Sequence, residues 1–217
     1  MKKITCIGIL LFSITTLIGN FAIAQKIPYM TQIDSKEMKY IDNTEVSISD
    51  WREYEFDMKN RFGSNSQEFL STIPDTALFR RYYNYSFIHP NANNMEKQNF
   101  SNADVGFMKN NYDKYPMIGV SYEQCIDYCK WRTERFNWKI KGVKQIEFSL
   151  PSPEDYKKAE SYAEITFNPP LSILKDKKSG KPQGITDNVI EYTLGNKDQV
   201  LDRPIGFRCI AKIINNQ

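Results

Sequence analysis

The sequence predicts one domain of mixed α/β (α+β) class, in which few helices alternate with short strands. Three segments carry a helix-start signal, and in two of them an apolar stripe of helical period follows it. Several shorter apolar segments have the length of strands, and the stretches between them are polar. Removing the first 24 of 217 residues leaves 193, which suits one domain with its own core and not two.

The amino-terminal segment predicts export. Lys2 and Lys3 precede an apolar run over residues 4–23, and Ala22 and Ala24 supply the small residues that a signal peptidase recognises. We therefore expect a signal peptide at 1–24, one domain at 25–217, a periplasmic or secreted location and no membrane span after cleavage. The alternative is a retained anchor, because a run of about twenty residues is near the lower limit for crossing a bilayer.

The charge balance argues against nucleic acid as a partner. Two of the 29 Lys and Arg residues fall in the amino-terminal segment, which leaves 27 basic against 26 acidic residues. Binding to phosphates needs a basic surplus on one face. The sequence also lacks the G-x-S-x-G, H-E-x-x-H and phosphate-loop patterns of common catalytic sites.

The first element pair is a strand and a helix. Residues 39–46 predict a short strand, and Ser47 with Asp50 resembles a capping box at the start of a helix that extends to about Arg61. Apolar residues at spacings of three and four predict an aromatic buried face: Trp51, Tyr54 and Met58.

The segment 78–88 is aromatic and predicts a strand with flanking loop, followed by a polar loop over 89–111. Its exposed aromatic residues give a candidate binding surface at Tyr82, Tyr83, Tyr85 and His89. The alternative is that these tyrosines pack in the core or against a neighbouring strand.

The remaining elements follow from similar signals. Ser121 with Gln124 starts a second helix, whose predicted buried stripe is Tyr122, Cys125, Ile126, Cys129 and Phe136. Residues 146–150 alternate as a strand, and Ser152 and Pro153 start a third helix that extends to about Ala163. Residues 188–193 and 206–214 predict two more short strands.

Five segments, in order, resemble the sulfatase-modifying factor, or formylglycine-generating, family. The segments are Asn43–Ser47, Tyr115–Ser121 with Asp127–Trp131, Phe148–Tyr156, Asp187–Tyr192 and Gly206–Cys209. The resemblance implies a C-type-lectin-like fold with few helices, short strands and much irregular loop. Two further segments, Tyr85–Pro90 and Trp131–Thr133, resemble the gliding-motility lipoprotein branch of that family.

The resemblance also implies a disulfide between Cys129 and Cys209. Three cysteines remain after signal cleavage, so an exported chain has one bridge and one thiol left, or a bond to another chain. A loop of about eighty residues closed by that bridge would contribute about 4–5 kcal/mol at most. The rival bridge, from Cys125 to Cys129, is strained inside a helix. We expect Cys125 to be a buried thiol.

The chemistry of the family is not expected here. Active members carry two catalytic cysteines between the last two landmarks and use copper with oxygen, whereas residues 193–205 of this chain contain no cysteine. The family's Arg-Gly-Gly-Ser-Trp strand also has no counterpart. Cys125 and Cys129 lack a third ligand nearby in sequence, so the pattern disfavours a copper site.

Calcium is the second cofactor that the resemblance implies. Glu191 aligns with a carboxylate that binds calcium in the family, but Gly184 stands where the family has an Asn ligand. Losing an oxygen ligand weakens a calcium site. The alternative is that Glu191 accepts hydrogen bonds from the nearby backbone.

Together these observations predict an exported, non-catalytic sulfatase-modifying factor-like domain that binds or scaffolds a protein or glycan of the cell envelope. One alternative is an oxidase of the formylglycine-generating type with a rebuilt active site. The other, from the gliding-motility resemblance, is a periplasmic component of a gliding or secretion assembly.

Overall fold

The computed structural model describes residues 27–75, 77–78, 113–140, 144–163, 180–185, 188–197 and 204–215. The predicted signal peptide and the candidate binding surface at Tyr82, Tyr83, Tyr85 and His89 lie outside these residues. These residues contain both helices and strands, which confirms the mixed α/β class. No helix in these ranges is both long and apolar enough to span a membrane.

The larger sheet places the carboxy-terminal strand in its interior. Its strands are β1 (Met30–Asp34), β2 (Lys39–Asp42), β3 (Lys144–Ser149) and β6 (Ile210–Asn215). The order is β1-β2-β6-β3, and every pair is antiparallel. Asp34 forms the turn between β1 and β2, because its Oδ1 accepts from the backbone N–H groups of Lys36 and Glu37, both at 2.9 Å.

A second, two-stranded sheet is parallel and joins β4 (Ile190–Glu191) to β5 (Ile205–Gly206). Gly206 is required by a close approach, since a Cβ there would lie 2.8 Å from Val189 Cγ2 and 3.0 Å from the Met117 carbonyl oxygen. The predicted strand over 206–214 is therefore wrong as one element. Gly206 ends β5 in the small sheet, and β6 begins at Ile210 in the large one.

Helix α1 (Ile48–Phe62) has the predicted capping box. Asp50 N donates to Ser47 Oγ at 3.1 Å, and Ser47 N donates to Asp50 Oδ2 at 3.0 Å. A short helix that the sequence did not predict, α2 (Gln67–Leu70), follows. The indole N–H of Trp51 donates to the Thr72 carbonyl at 3.1 Å and holds the end of α2 against α1.

The other two helices also begin where predicted. Helix α3 (Tyr122–Ile140) is capped by reciprocal bonds of Ser121 and Gln124, and α4 (Pro153–Tyr162) by a capping box at Ser152. The side chain of Asn137 fixes α3 to β3, because it donates to the Ile146 carbonyl at 2.8 Å and accepts from the Ile146 N–H at 2.9 Å.

Buried apolar residues form two clusters on opposite faces of the large sheet. The larger cluster contains an aromatic group from α1, α3 and the turn before β6: Trp51, Tyr54, Tyr128, Trp131 and Phe207. The smaller cluster packs the sheet against α4 through Ile33, Ile41, Ala159, Ile185 and Ile210. Strand alternation explains the division, since Tyr40 and Ala211 belong to the larger cluster and their neighbours Ile41 and Ile210 to the smaller.

Candidate functional site

A buried polar segment, 42–47, links β2 to α1 and contains five of the twelve buried polar or charged residues in the described part of the chain. It is held by backbone hydrogen bonds to the residues around Arg208: Asp42 N donates to the Cys209 carbonyl at 3.0 Å and Val46 N to the Phe207 carbonyl at 2.9 Å. The Val46 carbonyl in turn accepts from Met117 N at 2.8 Å. The segment is therefore built into the core and lies next to the carboxy-terminal strands.

Arg208 is completely buried, and all its side-chain nitrogens donate hydrogen bonds. Nε donates to both oxygens of Glu191, at 3.0 and 2.7 Å, and Nη2 donates to Glu191 Oε1 at 2.6 Å. Nη1 donates to the Asp42 carbonyl at 3.1 Å, and Nη2 also donates to the Gln183 carbonyl at 2.8 Å. This bidentate pairing uses the planar guanidinium fully, so Arg208 is a structural cation.

Glu45 shares the same cation from a greater distance. Its Oε2 lies 3.7 Å from Arg208 Nη2, and Oε1 is buried without a hydrogen-bond partner in the described residues. Burial therefore raises the pKa of Glu45 to about 7, in spite of the attraction of Arg208. Gly184, at φ +65°, makes room for this carboxyl, because a Cβ there would lie 2.9 Å from Glu45 Oε1.

A second ion pair lies beside the first. Arg132 of α3 donates through Nη1 to Asp42 Oδ2 at 2.6 Å and through Nη2 to Asp42 Oδ1 at 2.8 Å. Asp42 Oδ2 also accepts from Cys209 N at 2.9 Å, and the Arg132 guanidinium lies over the Phe148 ring at 4.4 Å. Asp42 thus connects α3 to the carboxy-terminal strand.

The structure brings two of the predicted cysteines together. The sulfurs of Cys129 and Cys209 are 3.5 Å apart, and both side chains are buried. They are thiols here, so the disulfide stays a prediction; bond formation needs an approach to about 2.05 Å. The hydrogen bond to Cys209 and burial raise the pKa of Cys129, and burial raises that of Cys125. Protonated thiols are poor nucleophiles and poor metal ligands.

The surroundings of Glu191 do not fit a calcium ion. Both carboxylate oxygens accept from Arg208, so a cation at Glu191 would have to displace the guanidinium. Glu191 therefore interacts with a charged side chain, where the sequence alternative was local backbone. Within the described residues, no group of three or more His, Cys, Asp or Glu side chains is placed to hold a metal ion.

A groove opens between α1, α3 and the 42–46 segment, with a cavity volume of about 210 Å³. We call it the α1–α3 groove. The residues that line it include Tyr29, Glu53, Trp131, Arg132, Arg135 and Lys139, together with the acidic side chains of Asp42, Glu45 and Asp50. By the period of α3, Arg132, Arg135 and Lys139 follow one stripe along that helix.

The charges deep in the groove have closer internal partners than those at the rim. Asp42 pairs with Arg132, and Asp50 completes the capping box of α1. By contrast, Arg135 Nε has no hydrogen-bond partner in the described residues, and its closest ion-pair contact is 3.9 Å from Nη1 to Asp57 Oδ1. Lys139 forms no ion pair with any residue in the described ranges.

Sequence reasoning missed this groove. Its signal was the spacing of basic residues at 132, 135 and 139 on a predicted helix, but the opposite wall comes from α1 and from Tyr29, which no local pattern places there. No family model, curated protein or solved structure matches the chain.

Proposed function

We propose that this chain is an exported, non-catalytic binding or scaffold domain of the cell envelope, with a fold like that of the sulfatase-modifying factors. The observation that carries the proposal is a contrast. The thiols and carboxylates in the core are buried and mostly paired, whereas the α1–α3 groove presents the partly exposed Arg135, whose ion-pair contact with Asp57 is 3.9 Å long, and the half-exposed ring of Tyr29.

The state of the cysteines supports a non-catalytic role. Cys125 and Cys209 are 0% exposed and Cys129 is 2% exposed, so a substrate has no route to a sulfur atom without local unfolding. The raised pKa values of Cys125 and Cys129 keep these two thiols protonated at neutral pH. A redox nucleophile needs the opposite environment, partly exposed and electropositive.

The meeting of the family-like segments supports the fold proposal. Residues 43–47, 188–192 and 206–209 are distant in sequence, yet they converge on the buried guanidinium of Arg208. The helix segment 127–131 joins them through Cys129, beside Cys209. The four family-like segments therefore contact one another in the core, and each contributes to the packing of the others.

Capture experiments test the binding role. Mature protein (residues 25–217) is immobilised and incubated with an envelope extract, in parallel with an Arg135→Met/Lys139→Met variant and a Lys130→Met control. Lys130 is exposed on α3 and, by helical period, points away from the groove. We expect the same ligand on wild type and control and its loss on the double variant. If the three immobilised proteins captured equal amounts of ligand, the groove would not be the binding site.

The second candidate function is an oxidase with a rebuilt site, and the close pair Cys129 and Cys209 with Cys125 nearby is the observation that favours it. Thiols are the ligands that copper(I) prefers. The test is titration with copper(I), followed by incubation with a cysteine-containing peptide and oxygen. Stoichiometric copper binding with peptide oxidation would establish the oxidase; neither is expected from sealed, protonated thiols.

A further inference from the structure

The basic residues that helix α3 contributes to the α1–α3 groove define what kind of charge it can bind. Arg135 and Lys139 are four residues apart on α3, so they lie on the same helix face about one turn apart. The Arg135 side chain is 39% exposed, although its Nε is buried without a hydrogen-bond partner in the described residues and its Nη1 lies 3.9 Å from Asp57 Oδ1. A partly exposed guanidinium beside an ammonium favours a carboxylate, which accepts two parallel hydrogen bonds.

The opposite rim offers an aromatic surface in an unusual backbone conformation. Tyr29 has φ 64°, which is rare for a bulky residue, and its side chain is 50% exposed. The backbone N–H of Asn43 donates to the Tyr29 carbonyl at 3.0 Å and helps to hold this conformation. An exposed tyrosine ring on a fixed backbone suits the apolar face of a ring-shaped ligand.

Acidic residues in the same groove restrict the ligand further. Glu53 is exposed on α1 and forms no ion pair with another described residue, so its oxygens are available as acceptors. A ligand with many negative charges would be repelled by Glu53 and by Asp50 beside it. A ligand with one carboxylate and several hydroxyl groups uses both kinds of rim residue. The cavity volume of about 210 Å³ equals about seven water molecules, which is room for a single small ring.

We propose that the α1–α3 groove binds one carboxylate-bearing sugar residue, a uronic acid, of an envelope or extracellular glycan. Arg135 and Lys139 hold the carboxylate, Tyr29 packs on the ring face, and Glu53 accepts from ring hydroxyls. This inference rests on the proposed binding function and names its ligand class. No bond is made or broken in the ligand.

The test is calorimetric titration of mature protein with trigalacturonate, with its methyl ester and with a hexaglutamate peptide. The ester keeps the ring and hydroxyls and lacks the charge. We expect trigalacturonate to bind at low salt and the ester to bind at least roughly tenfold more weakly, because the charge-assisted hydrogen bonds are lost. The affinity of Arg135→Met/Lys139→Met for trigalacturonate should fall by a similar factor, with an unchanged melting temperature. Lys130→Met should bind trigalacturonate like wild type.

Two further variants separate ring recognition from charge. Tyr29→Asn removes the ring but tolerates positive φ, and we expect it to weaken binding of both the acid and the ester. Glu53→Gln should weaken the binding of trigalacturonate less than Arg135→Met/Lys139→Met does. The proposal is overturned if trigalacturonate does not bind, if the double variant binds it like wild type, or if hexaglutamate binds more tightly. Envelope capture that needs Arg135 and Lys139 but is not competed by trigalacturonate overturns the sugar assignment and leaves the binding function in place.

Discussion

Arg208 and Arg135 place the same type of side chain in two different environments of this molecule. Arg208 is fully buried and donates five hydrogen bonds to Glu191 and to two carbonyl groups, whereas the Arg135 side chain is 39% exposed and has an Nε without a partner in the described residues. A buried charge costs several kcal/mol to desolvate, so it persists only when it is fully paired. A charge at a groove rim stays hydrated and remains available to a ligand. Burial and pairing therefore separate the charge that holds the fold from the charge to which we assign binding.

The largest effect is expected from Glu191→Gln, which keeps the shape of the side chain and removes its charge. Arg208 would be left buried with Glu45 alone, 3.7 Å away, as its anionic partner. We expect a loss of about 3–5 kcal/mol in the free energy of unfolding, measured by urea denaturation at pH 7. Glu147→Gln, at an exposed position of β3, is the control and should change stability by about 0.5 kcal/mol or less. Equal losses would show that the buried pair has no special role.

The next effect is the stabilisation expected from a disulfide between Cys129 and Cys209 in the buried region. If Cys129 and Cys209 are oxidised after export, reduction should lower stability by about 2–4 kcal/mol. Non-reducing peptide mapping of protein purified from the periplasm should yield a peptide that joins these two residues. A peptide that joins Cys125 to Cys209 would contradict the assignment, and Cys125→Ala should leave the mapping unchanged.

An effect of similar size is a pH dependence at Glu45. Its pKa in the folded protein, about 7, lies above the ordinary value of 4.5, so folding favours the protonated carboxyl. This contribution is complete below about pH 4.5 and is lost as the pH rises through 7, with an amplitude on the order of 3 kcal/mol. The nearby charges are Arg208, which lowers the pKa of Glu45, and Glu191, which raises it.

Glu45→Gln provides the measurement. The difference in unfolding free energy between the variant and wild type should grow in favour of the variant between pH 5 and pH 8. Asp34 does not interfere, because its pKa is lowered to about 2 by hydrogen bonds from Glu37 and Lys158 and it stays ionised across this range. A difference that is flat with pH would mean that Glu45 remains ionised in the core.

The helix starts could be predicted from sequence because a capping box is a local interaction. Ser47, Ser121 and Ser152 each cap the predicted helix, through contacts three residues along the chain. The cysteine pair was expected only from a resemblance, and its close approach depends on β6 lying in the middle of the sheet.

Other features depended on tertiary contacts that no local pattern contains. Arg208 looks like a surface residue by type, and its partner Glu191 is distant in sequence and reaches it only through the pairing of β4 with β5. The division of 206–214 follows from the tight packing at Gly206 against Val189 and Met117. The groove was missed for the same reason, since its two walls come from different helices.

The most direct measurement is to make the same substitution in both regions, Arg208→Met and Arg135→Met, and to compare urea denaturation of the two variants at pH 7. The separation of structural from binding charges predicts a loss of about 3–5 kcal/mol, or failure to fold, for Arg208→Met. It predicts a change of about 0.5 kcal/mol or less for Arg135→Met. A stable Arg208→Met variant together with a strongly destabilised Arg135→Met variant would contradict it.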